Sequence, residues 1–193
     1  MKKLVFILFI ITASVLVSCE GPMGPMGPEG PAGGEIIGTT FEFTDNFTAA
    51  NGYEVVFNFR DNGFDPYESD VILTYMLWQT ESGLDYWRPL PQSVYFNSGA
   101  ILVYNFDFTA DIPNDRIVDM AVFLDGDVDF STLSSDYTRN QTFRVVVVPS
   151  DFLSKANVDV SDLNSILNSP EIQMKSLGKI DLNTSIDTSL EIK

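Results

Sequence analysis

Three spacings of apolar and polar residues succeed one another along this 193-residue chain. Leu4 to Val17 is an uncharged, largely apolar run of 14 residues. From Gly21 to Gly33 a glycine recurs at every third position. From Ile36 onward the spacing becomes two, in short stretches broken by Gly, Asn, Asp and Pro. Side chains on a strand alternate between its faces, so the last pattern predicts β-structure. Thr39–Thr44 sets Phe41 and Phe43 on one face, and after the Asn51-Gly52 turn Tyr53–Phe59 aligns Tyr53, Val55, Phe57 and Phe59. Asp61-Asn62-Gly63 turns again. Val71–Trp78 is apolar at both parities and reads as a central strand covered on both sides. Val94-Tyr95-Phe96 follows the Pro89/Pro91 stretch, and Asn97-Ser98-Gly99 leads into Ile101–Phe108, with Leu102, Tyr104, Phe106 and Phe108 together. Ile117–Leu124 and Thr142–Val148 complete about seven strands.

With no convincing helix between these strands, the expected fold class is mainly β: an antiparallel β-sandwich, immunoglobulin-like in general architecture, over residues 36–149. A β-barrel is the alternative, and the absence of the Cys–Trp–Cys hallmark leaves topology open. Residues 150–193 form a more polar extension. Ser161–Asn168 predicts one short helix with Ser161 as cap and Pro170 as stop, and 171–193 either add a strand or lie over the sandwich.

The first 35 residues read as an address and a spacer. A membrane-spanning helix needs about 20 apolar residues. The run from Leu4 to Val17 has instead the length of a signal-peptide core, preceded by the positive Met1-Lys2-Lys3. Residues 1–18 are therefore expected to be a signal peptide. The run ends in Leu16-Val17-Ser18-Cys19, which resembles the lipobox of bacterial lipoproteins: an apolar residue, a tolerant position, a small residue before the cut, then the cysteine whose thiol takes a diacylglycerol. Each buried methylene contributes about 0.8 kcal/mol, so two or more acyl chains on Cys19 would make a stable anchor.

Residues 19–35 carry the lipidated Cys and a collagen-like neck, with Gly21, Gly24, Gly27, Gly30 and Gly33 in register and Pro after each of the first four. At average usage of ~7% Gly and ~5% Pro, that register has a chance probability on the order of 10⁻¹⁰. Glycine at every third residue suits the axis of a triple helix. Four Gly-Pro triplets equally suit a polyproline II spacer of roughly 35–40 Å in a monomer. The spacer is the expectation, and a trimer the alternative.

Composition then narrows the function classes. The formal charge is −16, and removing Lys2 and Lys3 with the signal makes it −18. Such a surface repels nucleic acid and anionic headgroups, and suits solvation, cations or a basic partner. There is one cysteine and no histidine. Ser-His-Asp and Cys-His catalysis and ordinary zinc sites are thereby excluded, and the folded domain has no disulfide.

Three constellations remain. Asp125, Asp127 and Asp129 alternate along one turn and could converge on Ca²⁺, although the full calcium-loop spacing is missing, so a solvated acidic turn is preferred. Asp61, Asp65, Glu68 and Asp70 form a second acidic loop with the same two readings. Trp78, Tyr86 and Trp87 could stack on sugars. Trp78 reads as core and Tyr86-Trp87-Arg88-Pro89 as a loop, with local packing preferred. No carboxylate pair stands out for glycoside hydrolysis. The expectation is no catalytic residue, no metal and no cofactor.

Taken together, the lipobox, the Cys19-Glu20-Gly21-Pro22 start, the Gly-Pro-x repeats and the runs Glu68–Leu73, Trp87–Pro91 and Phe143–Pro149 resemble small collagen-like lipoproteins of Gram-negative bacteria. The resemblance implies lipid processing and a place in the cell envelope, at the outer membrane, and brings no catalytic residue. The partners expected are the lipid bilayer through acylated Cys19 and a glycan or protein ligand, with no nucleic acid. The expected role is structural or adhesive, ahead of a glycan- or calcium-binding module, with a hydrolase last.

Overall fold

The computed structural model describes residues 36–150, 152 and 158–182. The signal peptide, Cys19 and the glycine repeat from Gly21 to Gly33 lie outside the described residues. Among the described residues there are nine strands: β1 (Ile37–Asp45), β2 (Glu54–Asn58), β3 (Val71–Glu81), β4 (Leu84–Pro89), β5 (Gln92–Tyr95), β6 (Ile101–Asp111), β7 (Arg116–Gly126), β8 (Gln141–Val148) and β9 (Gln173–Ile180). They form a five-stranded sheet in the order β4-β3-β8-β1-β9 and a four-stranded sheet in the order β2-β7-β6-β5. Every pairing is antiparallel except β1 with β9, which is parallel.

The two sheets pack through phenylalanine. The β1–β8 register sets Phe43 opposite Phe143 and Phe41 opposite Val145, so both strands turn the same parity inward. From the other sheet, Phe57 stacks on Phe41 with ring centroids 4.4 Å apart and lies 5.8 Å from Phe43. Phe59 meets Phe57 edge-on at 5.4 Å. Offset and edge-on ring pairs each contribute about 0.5–1.5 kcal/mol beyond their buried area. Val55, Leu102, Tyr104, Met120, Val122 and Val147 close this core. The fold is thus mainly β, with two packed sheets, as the alternation at Phe41/Phe43 and Val55/Phe57/Phe59 indicates.

The five-stranded sheet has a second apolar cluster on its other side. Tyr75, Val146 and Val148 turn outward there and are covered by Phe152, Leu163, Ile166 and Ile172 from the segment after Pro149. This accounts for the continuous apolar character of β3 and β8: Ile72 and Met76 face the main core while Tyr75 faces the cover.

Several details differ from the sequence expectation. Tyr86-Trp87-Arg88-Pro89 is strand β4, not a loop. Ser82 and Gly83 both take positive φ, the geometry of a two-residue hairpin whose twist matches the strands it joins. The short helix spans Leu163–Leu167 and is capped by Asp162, whose side chain accepts from the Asn164 N–H, rather than by Ser161. Ser161 instead donates to Asp159 at 2.7 Å. The end agrees with the expectation: helical structure stops at Leu167 with Asn168 as C-cap, two residues before Pro170. Phe108 is 46% exposed rather than core, because β5 pairs only with Ile101–Tyr104 and leaves the rest of β6 as an edge.

Candidate functional site

Two charges are each flanked by large apolar residues, Glu42 between Phe41 and Phe43, and Arg144 between Phe143 and Val145. Their phenylalanine neighbours point into the main core, so both charges project from the opposite face, and the register places them directly across from each other. The Arg144 guanidinium bonds Glu42 Oε1 through Nε at 2.9 Å and through Nη2. Its other side lies over the Trp87 ring, 4.1 Å from the centroid. Lys179 Nζ on β9 stands 4.0 Å from Glu42 Oε2. A row running from Trp87 on β4 through Arg144 and Glu42 to Lys179 therefore crosses the sheet. Beside it lies a cleft of about 420 Å³, lined also by Thr40, Leu167 and Ser176.

The row is a lateral tie. Arg144 and Glu42 are only 24% and 19% exposed at their side chains, which favours a half-buried, hydrogen-bonded pair over a screened surface contact. Trp87, the aromatic singled out for stacking on a sugar, has one ring face taken by Arg144. Trp78 packs at the edge of the main core, with Arg88 4.1 Å over its ring. Tyr86 is 44% exposed. The three aromatics do not make one stacking platform: Trp87 packs on the cover side and Trp78 on the core side of their sheet.

The acidic constellations are taken up by turn chemistry. Asp127 Oδ1 accepts from the Ile101 N–H at 2.6 Å, and the Asp127 N–H donates to the Ile101 carbonyl at 3.1 Å, clamping the end of β7 to the start of β6. Asp125 Oδ1 accepts from the Gly126 N–H. Asp129 accepts from both the N–H and the hydroxyl of Ser131, which hold its carboxyl below the usual carboxylate range. The same Asp-x-Ser arrangement at Asp159 and Ser161 lowers Asp159. In the second loop, Asp65 accepts from Arg116 at 3.1 Å with Arg60 at 3.8 Å, and Arg116 lies over the Tyr67 ring at 4.4 Å. Burial raises Asp70, partly offset by the bond it accepts from the Tyr67 N–H. Among the described residues no three His, Cys, Asp or Glu side chains gather at metal-binding distance.

Two buried tyrosines complete the inventory of polar ties. Tyr75 donates to the Val160 carbonyl at 2.7 Å, and burial, with Asp162 and Asp159 nearby, pushes its hydroxyl up to about 12. Tyr104 donates to the Tyr137 carbonyl at 2.7 Å and is raised further still, chiefly by burial.

The geometry defines a class: a mainly β, two-sheet sandwich with a cover on one outer face. No family model matches the chain, and searches of the curated proteins and of the solved structures return no match. Among the described residues no helix is long and apolar enough to cross a membrane.

Proposed function

We propose that this chain is a lipid-anchored envelope protein at the outer membrane. In this reading Cys19 carries the lipid, residues 19–35 space the domain from the bilayer, and the sandwich is a non-catalytic structural or adhesive module. The observation that carries the reading is Leu16-Val17-Ser18-Cys19 at the end of an uncharged run, followed at once by four Gly-Pro triplets. A small residue and a cysteine at the close of a signal-peptide core are what lipid transfer and cleavage require. The sandwich supports a binding role over chemistry, since Glu42, Asp65, Asp127 and Asp129 already accept bonds from their neighbours. Four triplets give little enthalpy against the cost of gathering three chains, so the neck is a spacer in a monomer.

The test is metabolic palmitate labelling. Cys19→Ala abolishes the label and leaves the chain unprocessed or unanchored; a variant labelled as strongly as the parent rules the anchor out.

A further inference from the structure

The four-stranded sheet has an outer face that no described segment covers. Val55, Phe57, Leu102, Tyr104, Met120, Val122 and Leu124 point into the core, so the alternate positions of the same strands point outward. Pairing places Val56 opposite Ala121, Glu54 opposite Phe123, Phe123 opposite Asn105, Val103 opposite Asp125 and Tyr95 opposite Ile101. A diagonal apolar stripe results: Val56, Ala121, Phe123, Val103, Ile101, Tyr95. Its two ends are open, Val56 at 54% and Tyr95 at 76% exposed, while Ile101, Val103 and Phe123 between them are half-buried and Ala121 is buried beneath its neighbours. Acids line both sides of it, Asp119 and Asp107 along one and Glu54 and Asp125 along the other. Beside the stripe the outward strand positions hold no Lys or Arg; Arg116, at the far end of β7, is taken by Asp65, and none of the four acids forms an ion pair among the described residues.

We infer that this face docks a cationic protein segment with one apolar ridge flanked by Lys or Arg, which names the partner chemistry of the adhesive role proposed above and rests on that reading. Charge decides the occupant. A second copy would set acid against acid in a chain of charge −16, and anionic lipid and nucleic acid are repelled in the same way. Apolar contact along the stripe supplies area, while basic residues on both sides of the ridge meet acids on both sides of the stripe. From strand spacing and rise the stripe runs roughly 25 Å, the length of a helix of about 16 residues.

The test uses the membrane-purified protein in nanodiscs of zwitterionic lipid, with empty discs as the blank. The probe is a fluorescent 18-residue helix of Leu on one face flanked by Lys; its control carries Glu in place of Lys. Saturable binding of the Lys probe alone is expected, weakening steeply with added salt. Val56→Glu should weaken it about tenfold or more, and Glu54→Lys about threefold, while Val160→Glu, equally a surface change, leaves it unaltered. An unchanged melting temperature shows that the variants fold. Absent binding, equal binding of the Glu control, or indifference to Val56→Glu overturns the inference. So does self-association abolished by Val56→Glu, which gives the face to a second copy, or binding seen only after residues 183–193 are removed, which gives it to the chain's own end. Palmitate labelling of the same samples separates the outcomes: a labelled protein that binds no probe loses this partner but keeps its anchored role.

Discussion

The outer faces of the two sheets start from similar material and end differently. On the five-stranded sheet, Tyr75, Val146 and Val148 are sealed under Phe152, Leu163, Ile166 and Ile172. On the four-stranded sheet, Val56 and Tyr95 meet solvent, and Glu54, Asp107 and Asp125 stand exposed beside them. The difference lies in the charge pattern. Outward positions of β3 and β8 near the cover are Val71, Leu73, Tyr75, Val146 and Val148, an area too apolar to leave wet. Outward positions of β2, β6 and β7 mix apolar and acidic residues, which water tolerates and a basic surface can exploit. One face is sealed by the chain itself, and the other carries the docking proposal.

The sharpest way to break this contrast is to truncate one apolar residue on each face. Ile166 is fully buried in the cover, so Ile166→Ala should cost about 2–5 kcal/mol through lost burial and an unfilled cavity. Val56→Ala on the open face should stay within about 0.5 kcal/mol. Urea unfolding of both variants measures this. Equal costs would mean that the open face is covered after all, or that the cover does not fold with the sheet.

Backbone demands differ between the faces as well. Gly126, at the end of β7, has φ +124°, and a Cβ there would lie 2.1 Å from the Ile101 carbonyl oxygen, a backbone atom that cannot swing aside. Gly38, under the cover, would set its Cβ 2.7 Å from the Ile172 Cδ1 and Met174 Sδ atoms, which can move. Gly126→Ala should therefore cost about 2–3 kcal/mol and Gly38→Ala clearly less. A reversed order in the same unfolding assay would show that the cover is the more rigid partner.

The sequence makes much of the sandwich legible and little of what lies against it. All seven strands read from the sequence are present, most because inward Phe and Val recur at every second residue and Val71–Trp78 because it is apolar at both parities. Two strands escape. Leu84–Pro89 is hidden by its acidic, basic and Pro residues, although Ser82-Gly83 is a hairpin signal between Glu81 and Leu84. Gln173–Ile180 is a polar edge strand whose apolar residues Leu177 and Ile180, three apart and so of opposite parity, both reach the core because the register shifts between Thr40 and Phe41 and turns Ile180 inward. The tie between Glu42 and Arg144 was foreshadowed by two charges isolated among phenylalanine and valine. Its partners Trp87 and Lys179 are not legible, because Trp87 reads as loop and Lys179 lies in a segment that reads equally as a strand or as a cover. Asp125, Asp127 and Asp129 look convergent in sequence, yet each bonds a different local group.

Neighbouring residues on β3 sharpen the comparison from within one strand. Tyr75 points into the cover and holds the Val160 carbonyl, so Tyr75→Phe should cost about 1.5 kcal/mol by leaving that acceptor without its donor. The linkage has a definite sign. Folded Tyr75 titrates near pH 12, unfolded tyrosine near 10, so the unfolded chain gives up its proton first. The contribution is fully present below pH 10 and is lost as pH rises towards 12. Stability measured across that window should fall more steeply for the parent than for Tyr75→Phe; parallel curves would detach Tyr75 from the cover.

Thr74, one residue earlier, points the other way. It faces Val145 across the β3–β8 ladder, it is 2% exposed, and its hydroxyl oxygen has no hydrogen-bond partner among the described residues. A buried hydroxyl without a partner forfeits its hydration and gains nothing in exchange. Valine keeps the branched shape and the strand preference while replacing the hydroxyl by a methyl group. Thr74→Val should therefore stabilise the protein by about 1 kcal/mol, a rise in melting temperature of about 2–4 °C for a chain of this size. Thr74→Ala removes the same hydroxyl but leaves space behind, so it should gain less or lose. A drop on Thr74→Val would reveal a bonded hydroxyl inside the main core. Adjacent residues of β3 would then both be tied by hydrogen bonds, Tyr75 towards the cover and Thr74 into the main core, where Tyr104 already holds the Tyr137 carbonyl.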